Sequence, residues 1–136
     1  MKKSGWILIL IWAAIIHVLL IVITVAEVFV FSQFIEPNKD EQFYQEHAKI
    51  IAPYVAIILG FILIFIVARK LSKKNENNSK WIGILLAIAY IIIDIIILQI
   101  SSINWPEHYP VFIISFLTKI LAGYLGVKDF KKIFGK

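Results

Sequence analysis

The chain has 136 residues, 60% hydrophobic and 17% charged, with 14 lysines and arginines against 9 acids and a formal net charge of +5. Soluble domains run at roughly 45–50% apolar and about 25% charged, and the apolar excess here falls in four long blocks, which excludes a soluble globular domain. There are no cysteines, so disulfides, thiolate nucleophiles, thiolate zinc sites and c-type haem attachment are excluded as well.

Lys2 and Lys3 precede an apolar run that opens at Trp6. A secretory signal has this outline, and Thr24-Val25-Ala26 has the form of a cleavage site, but the apolar core of a signal is about 7–15 residues. This run continues through Val28-Phe29-Val30-Phe31. The expectation is a retained first helix over residues 6–34, long enough to tilt or project. Trp6 and Trp12 suit an interfacial start.

An acidic loop follows over residues 35–49, with Glu36, Asp40, Glu41 and Glu46. Pro37-Asn38 marks a turn. Asp40 stands where a helix N-cap belongs. Phe43, Tyr44 and His47 fall at helical spacing, which predicts a short helix running into the second span, with a face suited to the interface. That span is expected over residues 50–68, with Pro53 in its first turn, where no backbone N–H is needed. No polar side chain occurs from Val55 to Ala68. Ala52, Ala56 and Gly60 form a small-xxx-small row suited to close helix approach.

Residues 69–80 are polar and basic. Asn77-Asn78-Ser79 matches the glycosylation pattern, but the topology below places it in the cytoplasm. The third span, residues 81–100, is long enough to cross a ~30 Å hydrocarbon core and contains one acid, Asp94. A loop ending at Pro110 leads to the fourth span, residues 111–127. The basic tail brings Phe130, Ile133 and Phe134 to helical spacing, either resting on anionic lipid or solvated. Ser4-Gly5-Trp6-Ile7 and Ser79-Lys80-Trp81-Ile82 form a weak internal echo at the start of each half.

Topology follows from counting basic residues. Lys2, Lys3, Arg69, Lys70, Lys73, Lys74, Lys80, Lys128, Lys131, Lys132 and Lys136 fall on one side, and only Lys39 and Lys49 on the other. The positive-inside rule then places both termini in the cytoplasm of a plasma-membrane protein. This distribution accounts for the net charge, and no basic stripe interleaved with aromatics points to nucleic acid.

Polar groups inside the spans are the candidate site. Stepping 100° per residue, Gly83, Ala87, Tyr90 and Asp94 share one side of the third helix, with Ser101 beyond. Ser115, Lys119, Ala122 and Gly126 share one side of the fourth. Ala13, Ala14, His17 and Thr24 line the first, and Glu27 lies one turn further. Isolated polar groups avoid lipid, so these seams should meet in the interior. The expectation is an Asp94–Lys119 ion pair, with Tyr90 and His17 supplying hydrogen bonds. Such a pair either joins two helices in register or forms a charged site for a proton, ion or small polar substrate. Lys119 has a third course, snorkelling to the interface. Glu27, near the outer boundary, is either an interfacial acid or a carrier carboxylate. Glu46, His47, Glu107 and His108 share the outer side, but no metal motif connects them. No phosphate-binding loop or catalytic triad occurs, so no metal and no cofactor is expected.

The resulting expectation is an all-α integral membrane protein, one domain over residues 1–136, folded as a bundle of four transmembrane helices. Its partners are the lipid bilayer and either further copies of itself or a larger membrane complex. The leading function is a homo-oligomeric transporter or channel with Asp94, Lys119, Tyr90, His17 and Glu27 as the substrate- or ion-binding residues. A non-catalytic accessory or assembly subunit is the second possibility. An intramembrane enzyme acting on lipids through Asp94, His17 and Tyr90 is the third.

Overall fold

The computed structural model describes residues 3–74, 79–100 and 105–128, which are helical except for residues 36–40 and Lys128. Helix α1 spans Lys3–Val30 and continues as a π-helical turn over Phe31–Ile35, where the Glu36 N–H donates to the Phe31 carbonyl at 3.0 Å. Helix α2 spans Glu41–Lys74, α3 Ser79–Ile100 and α4 Trp105–Val127. All four are long and apolar enough to cross a membrane.

The helix expected from Asp40 does run into the second span, as α2 is unbroken from Glu41 to Lys74, while the expected starts of the second and fourth spans at their prolines shift. Asn38 takes a left-handed φ of 63° in the turn, a conformation Asn tolerates. Asp40 then caps α2, its Oδ1 accepting the Phe43 N–H at 2.9 Å. Tyr44 closes the connection by donating to the Glu36 carbonyl at 2.7 Å. The aromatic residues of this first stretch turn toward α1, since His47 and Phe43 stack on Phe31 with centroids 3.7 and 6.2 Å apart. Pro53 consequently lies in the interior of α2, which leaves the Lys49 carbonyl without its usual helical donor. Pro110 likewise lies within α4, which begins at Trp105 and not after the proline.

Side-chain pairings give the direction of each packing. Trp12 meets Lys70 and Glu27 meets His47, so α1 and α2 are antiparallel. Gly60 lies beside Lys119 and Gly126 beside Phe65 and Ala68, so α2 and α4 run parallel. Gly83 meets Gly123 and Tyr90 meets Lys119, so α3 and α4 are antiparallel. Helices α1 and α4 each pack on both α2 and α3, which also touch each other, while α1 and α4 share no extensive interface among the described residues. The chain is therefore two hairpins side by side, α1 against α3 and α2 against α4.

The closest approach is at Gly83 and Gly123. A methyl group at either would overlap the carbonyl oxygen of the other, so only glycine permits this spacing.

The two ends of the bundle differ. Arg69, Lys70, Lys73 and Lys128 gather at one end, and Glu36, Asp40, Glu41 and Glu46 at the other. The buried core lies in the basic half, from Ile9 to Leu20, Ile64 to Leu71, Ile82 to Tyr90 and around Ala122. In the acidic half Leu98 alone among the described apolar side chains reaches the same burial. Large apolar residues such as Val18, Ile21, Val25 and Phe29 face outward.

Candidate functional site

The predicted seams converge where the packed half ends. Tyr90 is 1% exposed and Lys119 0% exposed, and Ala87, Ser115 and Ala122 of the same seams are buried with them. Ala13 of α1 is fully buried, whereas Ala14 faces outward.

Tyr90 organises the cluster through its ring. The His17 imidazole stacks on it with centroids 4.0 Å apart and planes 25° apart. From this position His17 Nε2 lies 3.2 Å from Asp94 Oδ1. The other ring nitrogen, Nδ1, lies 3.4 Å from the Ala13 carbonyl oxygen. A carbonyl and a carboxylate only accept, so either ring nitrogen donates where it carries a hydrogen. The two side chains are 9% and 21% exposed.

Lys119 approaches the same ring, its Nζ 4.9 Å from the Tyr90 centroid. It donates to Ser115 Oγ and, at 3.4 Å, to the Ser115 carbonyl one turn back along α4. Gly60 of α2 makes room, since a methyl there would come 3.4 Å from Lys119 Cε. Snorkelling is not the course this side chain takes, because it is wholly enclosed.

The Asp94–Lys119 ion pair expected from sequence does not form. No carboxylate among the described residues lies within 4.0 Å of Lys119. The reason is helical geometry. Asp94 is four residues beyond Tyr90, which turns it about 40° around α3, toward α1 and His17. Lys119 folds back toward the N-terminus of α4, as helical side chains do, and finds Ser115.

The energetics of Lys119 are close to balance. Hydrogen bonds to a charged group contribute about 1.5–3 kcal/mol, and a desolvated cation over an aromatic ring about 2 kcal/mol. Removing the ammonium from water costs several kcal/mol. Lys119 therefore gives the fold little that an apolar side chain of the same length would not.

Glu27 belongs to a second cluster at the acidic end. His47 Nε2 lies 3.0 Å from Glu27 Oε1, and the His47 ring is nearly parallel to Phe31, 5° apart. The second carboxylate oxygen, Oε2, is buried and has no hydrogen-bond partner. Sequence reasoning placed His47 in the loop and did not pair it with Glu27. The available signal was the turn itself, since Glu27 lies ten residues before Pro37 and His47 nine after Asn38, which brings them level in an antiparallel hairpin.

Both clusters repeat one arrangement, a histidine stacked on an aromatic ring and bonded to a carboxylate. Thr24 lies between them on α1, half-buried, its Oγ1 donating to the Leu20 carbonyl at 2.9 Å. The side chains of Glu107 and His108, together with Ser101 and the tail residues Phe130, Ile133 and Phe134, lie outside the described residues. Among the described residues no three His, Asp or Glu side chains gather in a metal-ligating group.

No family model, no curated protein and no solved structure matches this chain.

Proposed function

We propose that the chain is an integral protein of the plasma membrane, inserted with its basic end toward the cytoplasm, and that it is a small transporter or channel. The ion or small charged solute passes the cluster of His17, Asp94, Tyr90 and Lys119. The observation that carries this reading is a fully enclosed lysine beside a histidine–aspartate pair 3.2 Å apart. Intramembrane ionisable groups are expensive and mark ion or substrate pathways. No direct ion pair joins α3 to α4 through the cluster; the His17–Asp94 contact joins α1 to α3.

Topology rests on the segregation of Arg69, Lys70, Lys73 and Lys128 from the acidic connection at residues 36–40. The basic half is filled by core side chains, and in this reading further copies of the chain in a homo-oligomer complete the path across that half. An accessory-subunit reading would use small residues as partner surfaces. Gly60, Gly83, Gly123 and Gly126 are instead spent on contacts within the chain.

The test is flux into liposomes containing the purified protein, measured separately for potassium, chloride, protons and small organic ions. Flux above that of protein-free liposomes supports transport. Flux at the protein-free level for every solute would leave the accessory reading in its place.

A further inference from the structure

The Asp94 cluster leaves the acidic end of the bundle unused, and that end holds a buried carboxylate oxygen with no partner. We propose that the transported ion is the proton, and that Glu27 and His47 form its binding site at the acidic mouth, in series with His17 and Asp94. This rests on reading the Asp94 cluster as a transport site.

Three observations carry it. First, Glu27 Oε2 is enclosed and unpartnered. A buried polar atom without a hydrogen bond calls for an unseen ion, water or functional role. The side chain as a whole is 34% exposed, so Glu27 is open to the acidic end while this one oxygen is not. Second, His47 Nε2 lies 3.0 Å from the other oxygen of the same carboxylate, which supplies a group that takes and releases protons in the ordinary pH range. Its plane is fixed by Phe31, the first residue of the π-helical turn, and π-helical turns are frequent at functional sites. Third, fewer side chains are buried in the acidic half of the bundle among the described residues, and the proposed entry of water toward Thr24 and Asp94 is on that side.

The charged surroundings of each site are few. Glu27 is faced by His47 from α2, and no described side chain of α3 or α4 comes within ion-pair distance of it. The His17–Asp94 pair has Tyr90 beside it on α3 and Lys119 from α4, while α2 brings Gly60 to that level. Along α1 the two sites are about 15 Å apart, ten residues at helical rise, with Thr24 between them. A proton adds to Glu27 Oε2, crosses past Thr24 through water, and adds to the His17–Asp94 pair as another leaves toward the cytoplasm. Only O–H and N–H bonds form and break, and one proton leaves for each that enters.

The experiment uses the full chain in liposomes with an entrapped pH-sensitive dye, driven by a potassium diffusion potential. Wild type is expected to take up protons faster than protein-free liposomes, and Glu27→Gln and His47→Phe to fall to the protein-free level. His47→Phe retains the stack on Phe31 and carries the test if Glu27→Gln fails to fold. Both variants conducting at the wild-type rate, with Asp94→Asn silent, would overturn the outer site and leave the transport reading standing. Potassium or chloride flux without proton flux would overturn the choice of ion and also leave transport standing. Silence toward every ion would remove both. Infrared spectra of Asp94→Asn give a second readout: a protonated-carboxyl band that disappears when Glu27→Gln is added supports the site, and an unchanged spectrum counts against it.

Discussion

The His17 imidazole lies against the Tyr90 ring at 4.0 Å, and this stack holds Nε2 at 3.2 Å from Asp94. The aromatic ring therefore orients the histidine and also receives the Lys119 ammonium. Tyr90→Phe keeps both contacts and is expected to cost less than about 1.5 kcal/mol, the worth of one hydrogen bond. Tyr90→Ala removes the platform and is expected to cost roughly 3–5 kcal/mol, as for other buried aromatic truncations. Denaturation of each variant in one detergent checks the difference; equal losses would deny the ring its role.

Pairing is testable by double-mutant cycles. His17→Phe with Asp94→Ala, which removes the contact, should show a coupling of about 0.5–3 kcal/mol, the range for residues in contact. Asp94→Asn with Lys119→Met should show less, because those groups do not meet. Lys119→Met alone should be neutral or stabilising. A larger coupling for Asp94 and Lys119 would restore the direct ion pair.

The glycines separate into two classes. Gly83→Ala and Gly123→Ala place a methyl on a backbone carbonyl that has no room to yield, and a loss of roughly 1–3 kcal/mol or more is expected from overpacking. Gly60→Ala meets only the flexible Lys119 chain at 3.4 Å and Leu20 at 3.6 Å. It should be neutral, or gain about 0.5–1 kcal/mol from helix propensity. Thermal stability of the three proteins decides it.

Orientation is accessible because the chain has no cysteine. Lys39→Cys should react with a membrane-impermeant maleimide added outside sealed, right-side-out vesicles. Lys73→Cys and Lys128→Cys should react only after permeabilisation. The reverse pattern would invert the topology.

Much of the site was legible from periodicity, because a 100° step assigns faces well on straight helices. Ser115, Lys119, Ala122 and Gly126 share the buried side of α4 as that step requires. Periodicity does not say which neighbour a face meets. Asp94 turned toward α1, and Lys119 reached along its own helix, because α3 packs on both α1 and α4 and Asp94 lies on its α1 side. The reach of α2 back to Glu41 was legible in Asp40, which caps it. The Phe31–Ile35 π-helical turn leaves no mark in the sequence that we can identify.

The most direct measurement is Asp94→Asn, with stability and flux taken on one preparation. Asparagine can donate to His17 Nε2, so the contact survives without the carboxylate. The predicted result is a protein at least as stable as wild type, with flux at the level of protein-free liposomes. Wild-type flux in Asp94→Asn would contradict a transport role for the carboxylate. A destabilised protein rescued by Lys119→Met would make the aspartate a structural partner of the lysine instead.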